Sequence, residues 1–65
     1  MVKLYAVLRG IDYEGEEIVF LTESLEKAKE VFNNPPMSGD YHKIIEIELN
    51  RKYDINYFPK EIERS

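Results

Sequence analysis

Residues 22–36, TESLEKAKEVFNNPP, decide the fold, because no other stretch reads as a substantial helix. Ser24 is placed to cap it. Its hydroxyl can accept from a free backbone N–H of the first turn, and Glu26 sits near the positive end of the helix dipole. Leu25, Ala28, Val31 and Phe32 fall at i, i+3, i+6 and i+7, which is one face at 3.6 residues per turn. Ala28 is the small residue on that face and marks the expected closest approach to a sheet. Asn33-Asn34 offers a left-handed exit, and Pro35-Pro36 cannot continue the helix.

Working outward from the helix, the flanking stretches read as strands. Residues 2–9, VKLYAVLR, alternate, with Val2, Leu4, Ala6 and Leu8 expected to face the helix and Lys3, Tyr5, Val7 and Arg9 the open side. Residues 10–15 form a hairpin connection, in which Gly15 suits a positive φ. Residues 16–21, EEIVFL, return as a second strand. Residues 41–49 give a third, with Tyr41, Lys43, Ile45, Ile47 and Leu49 expected inward. A right-handed crossover from the second strand through the helix places the third strand beyond the first.

The resulting class is α+β: a three-stranded antiparallel sheet of order 2-1-3 with one helix on one face, ββαβ in chain order. Alternation of Tyr53, Ile55 and Tyr57 allows a short fourth strand in the C-terminal tail. Residues 1–65 form one domain, with 59–65 expected to fray.

The short strand, the acidic hairpin, the second strand, and then Ser24, Glu26 and Ala28 after Phe20-Leu21-Thr22 form a β-β-α-β layout. It resembles small uncharacterised bacterial and phage proteins with a Ser-x-Glu-x-Ala helix start. The resemblance implies a fold and no activity.

Composition narrows the function. At 65 residues the core is expected to supply no more than roughly 3–5 kcal/mol without help. With no cysteine, neither a disulfide nor a thiolate–metal site can supply that help. Net charge is −4, which argues against nucleic acid as a partner. No stretch approaches the roughly 20 apolar residues of a membrane span, and a cytoplasmic location is the default expectation.

Catalytic and cofactor sets are missing from the sequence. His42 is the only histidine and is expected to be exposed on its strand. Asp12, Glu14, Glu16 and Glu17 lack the spacing of a calcium loop. Glu46 and Glu48 share a strand face, but a sheet this small offers no deep cleft to raise one pKa. The expectation is no enzyme, no cofactor and no metal.

Binding remains. Tyr5, Val7 and Ile44, with either Val19 or Leu21, are expected to give the open sheet face an apolar strip, and Tyr53, Tyr57 and Phe58 add aromatic surface in the tail. The first expectation is a small acidic, non-enzymatic protein-binding module, such as a phage or mobile-element inhibitor of a host protein. It would turn Glu14, Glu16, Glu17, Glu46 and Glu48 toward a basic groove, and its affinity would fall with salt. The alternative is a structural homodimer, in which the protein partner is a second copy.

Overall fold

A computed structural model describes residues 2–52 and 59–65. The chain is α+β. Strands β1 (Lys3–Ile11) and β2 (Gly15–Thr22) form a hairpin, helix α1 (Leu25–Asn33) follows, and β3 (Tyr41–Glu48) and β4 (Lys60–Arg64) complete one antiparallel sheet of order β2-β1-β3-β4. The predicted 2-1-3 order holds, and the tail extends it. The stretch expected to fray pairs with β3 instead, because Ile62 packs against the core and Ser65 N–H donates to the His42 carbonyl at 2.9 Å. The fourth strand foreseen around Tyr53 to Tyr57 lies outside the described residues.

The helix begins as its sequence requires. Ser24 is the N-cap, and its Oγ accepts from Lys27 N–H at 3.3 Å. The exit differs from expectation. Asn34, the C-cap, has φ −141°, and its N–H bonds to the Glu30 and Val31 carbonyls, so no left-handed residue is needed. Positive φ appears instead at the hairpin, in Tyr13 (70°) and Gly15 (98°), and after β3 in Asn50 (64°).

The helix covers the opposite sheet face from the one expected. Ala28, Val7 and Ile44 are fully buried together, with Tyr5, Phe20, Leu25, Val31, Phe32 and Ile62 packed around them. Residues directly opposite one another in an antiparallel pair share a face, so Phe20, Val7 and Ile44 form one row beneath the helix. Val7 and Ile44, expected on an open binding strip, are therefore core, and Tyr5 is half-buried beside them. The physical reason is length. A nine-residue helix is about 13 Å long, whereas nine strand residues span about 30 Å. The helix needs apolar partners only at mid-sheet. Both ends of that face can carry charge, which made it look solvent-facing in sequence.

At one end of the helix face, Arg9 and His42 are cross-strand neighbours beneath the loop that follows α1. His42 is buried rather than exposed, and its Nε2–H donates to the Met37 carbonyl at 2.9 Å. The carbonyl can only accept, which fixes the proton on Nε2. Arg9 Nη1 donates to the Ser38 carbonyl at 3.1 Å. Asp40 ties the loop to the hairpin: its N–H donates to the Gly10 carbonyl at 2.8 Å, and its Oδ2 accepts from Asp12 N–H at 2.6 Å.

Candidate functional site

The sheet face opposite the helix is the candidate site. Register assigns its rows: Leu4 with Ile47; Leu21, Ala6, Ile45 and Glu61; Ile18, Leu8, Lys43 and Arg64; Glu16, Gly10 and Tyr41. At its centre Ala6 is fully buried and Leu8 nearly so. Ile18 and Leu21 on β2 are 56% and 52% exposed, enough to offer most of each side chain to a partner. Val2 and Leu49, just beyond the ends of β1 and β3, are also exposed and are joined by a Leu49 N–H to Val2 carbonyl bond of 2.9 Å.

The other end of the face is polar and built around a missing side chain. Gly10 lies between Glu16 and Tyr41 in one row. A Cβ at position 10 would sit 2.0 Å from Tyr41 Cζ, so only glycine lets the ring lie across β1. Through that gap the Tyr41 hydroxyl donates to Glu16 Oε2. Lys43 Nζ meets the same oxygen at 2.9 Å, and Arg64 stacks over the Tyr41 ring at 4.9 Å from its centroid. The hydrogen bonds from Tyr41 and Lys43 hold the Glu16 carboxyl below the usual carboxylate range. The same bond pushes the Tyr41 phenol up, because ionising it would place two anions in contact. Hydrogen bonding to Glu61 pushes Arg64 up.

The carboxylates expected to form an acidic docking surface are mostly engaged inside the molecule. Besides Glu16, Glu17 pairs with Arg9 at 2.5 Å, Glu46 with Lys3 at 3.8 Å and Glu48 with Arg51 at 3.1 Å. Glu14 is exposed on the hairpin, beside a hollow of about 130 Å³ lined by Arg9, Ile11 and residues 14–17. A second hollow of about 530 Å³ lies against Val2, Glu48, Leu49, Asn50 and Arg51. Tyr53, Tyr57 and Phe58 lie outside the described residues.

Among the described residues, no group of three or more His, Cys, Asp or Glu side chains could hold a metal ion. No helix among them is long and apolar enough to cross a membrane. Sequence reasoning offered Leu21 for the open face but missed Ile18, Ile45 and Ile47. Their apolarity was plain, but the side of the sheet was not. No protein-family model, curated protein or solved structure matches the chain, so its β-β-α-β-β layout brings no family or activity with it.

Proposed function

We propose that the chain is a small non-catalytic protein-binding module that works through the sheet face opposite the helix. The observation that carries this reading is the exposure of Ile18 and Leu21 on one face of β2, the face on which the part-buried Ile45 and Ile47 also lie. Exposed large apolar side chains raise the free energy of the free protein and are relieved by a partner. The internal pairing of Glu16, Glu17, Glu46 and Glu48 shifts the weight from an acidic inhibitor to an apolar contact. We place the module in the cytoplasm, where a chain without cysteine loses nothing to a reducing environment.

A photo-crosslinking residue introduced at Leu21, in cells that make the protein, tests this. The control is the same residue at Glu30, which is exposed on the helix. The expected result is a discrete covalent adduct from position 21 and none from position 30. No adduct at 21, or the same adduct at both positions, overturns the proposal.

A further inference from the structure

We infer that the tip of the β1–β2 hairpin is a docking point of its own, at which Tyr13 enters a pocket on a partner protein whose rim carries Lys and Arg side chains. Tyr13 is the third residue of a four-residue turn, Ile11 to Glu14, closed by a Glu14 N–H to Ile11 carbonyl bond of 3.0 Å. Its φ is 70°. A left-handed backbone brings Cβ against the following carbonyl oxygen, so Gly or Asn normally fills this turn position and a bulky residue there is strained. The fold gains nothing in return. Tyr13 is fully exposed, and among the described residues its ring joins no core cluster and its hydroxyl has no hydrogen-bond partner. An aromatic residue that is strained and unused inside the molecule points to use outside it.

The tip is stiff. Asp12 N–H donates to Asp40 Oδ2 at 2.6 Å, and Asp40 N–H donates to the Gly10 carbonyl at 2.8 Å, so the loop after α1 holds the hairpin at two points. Little ordering is left for binding to do, and a tyrosine has only two side-chain torsions to fix.

Charge selects the partner. Asp12 and Glu14 flank Tyr13, Asp40 is held against the Asp12 backbone, and all three are exposed. None of them makes an ion pair among the described residues. The bases on the adjoining strand ends, Arg9 and Lys43, are already taken by Glu17 and Glu16. Much of the net charge of −4 is therefore unopposed at this tip. A rim of Lys and Arg answers it, and an Arg can also stack on the phenol ring. A buried tyrosine inside a ring of charge is the usual arrangement of an interface centre and its rim.

The margins of the sheet offer a poorer contact. β2 is interrupted by an extra residue, Val19, between the Phe20 and Ile18 pairings. β4 reads KEIER, with charge at four of its five positions. Bulges and charges both oppose edge pairing.

The test places a photo-reactive phenylalanine analogue at position 13, which keeps an aromatic ring at the tip, in cells that make the protein. The control position is Glu30 on the helix. The expected result is an adduct whose cross-linked peptide carries Lys or Arg, absent from position 30 and lost when Asp12→Asn and Glu14→Gln are added. The captured protein is then purified and titrated with the chain. Its affinity should fall at least tenfold with Tyr13→Asn, hold within about threefold with Tyr13→Phe, and weaken as salt rises from about 50 to 300 mM. Tyr13→Asn should at the same time raise the urea midpoint of the free chain, because Asn relieves the turn, and this separates lost contact from lost fold.

No adduct from position 13 overturns the inference, as does an adduct indifferent to the charge changes, a partner that binds Tyr13→Asn equally well, or a lower urea midpoint for Tyr13→Asn. Capture from position 21 without capture from position 13 removes the hairpin contact and leaves the sheet-face reading intact. Capture from position 13 alone does the reverse.

Discussion

A methyl group at position 10 would lie 2.0 Å from Cζ, and within 2.5 Å of both Cε atoms, of the Tyr41 ring. Gly10→Ala therefore expels the ring, and with it the hydroxyl bond to Glu16 and the stacking of Arg64. A destabilisation of about 1–3 kcal/mol is expected, as for other overpacked sites, measured by urea unfolding. The same cluster sets a pH signature. The Glu16 carboxyl is lowered in the folded state, so its contribution is fully present above the unfolded carboxyl value of about 4.3 and is lost as pH falls through the lower folded value. The Tyr41 phenol is raised, so its contribution holds below about 10 and is lost as pH climbs through the raised value. Glu16→Gln should flatten the acid limb of a stability profile measured from pH 2 to 7; an unchanged limb contradicts the bond. Nothing in the sequence pointed to this cluster. Gly10 read as a turn residue, and only the register shows that it leaves a gap between two strands.

At the scale of elements, the start and apolar face of α1 were legible, its exit was not, and the sheet was half so. Ser24 carried its own signal through hydroxyl chemistry, and Ala28 through its place on a four-residue apolar face. Ser24→Ala should cost about 1 kcal/mol, read from the denaturation midpoint. The crossover rule gave the strand order without any side-chain information. The side on which the helix lies was not legible, because both parities of β1 are apolar enough to be buried. Leu4, Ala6 and Leu8 outnumber Tyr5 and Val7, yet the smaller set sits under the helix. Numbers of apolar residues decide a face only when the covering element is as long as the strand it covers. β4 was hidden for another reason: its single apolar residue, Ile62, shows no period, and four charges in five residues mimic a loose end.

For the molecule as a whole, the core is small enough that single contacts matter. Ile44 is fully buried in the cluster shared with Val7 and Ala28. Ile44→Ala should cost about 2–5 kcal/mol. A core of this size supplies roughly 3–5 kcal/mol, so the variant should be largely unfolded by circular dichroism at 25 °C. A cooperative melt close to that of the unaltered chain would show that the stabilising contacts lie elsewhere. The candidate site was legible as composition, in the surplus of aliphatic side chains over what one short helix can cover. Its location was not, since that depends on which face the helix takes.

The extra residue in β2 and the run of charge in β4 have a consequence for storage and crowding. A sheet whose margins are kinked on one side and ionised on the other is a poor seed for endless ribbons, even at millimolar concentration. Exchanging Lys60, Glu61, Glu63 and Arg64 for threonine would remove the ionised margin, and thioflavin-positive fibres should then appear in solutions that otherwise stay clear.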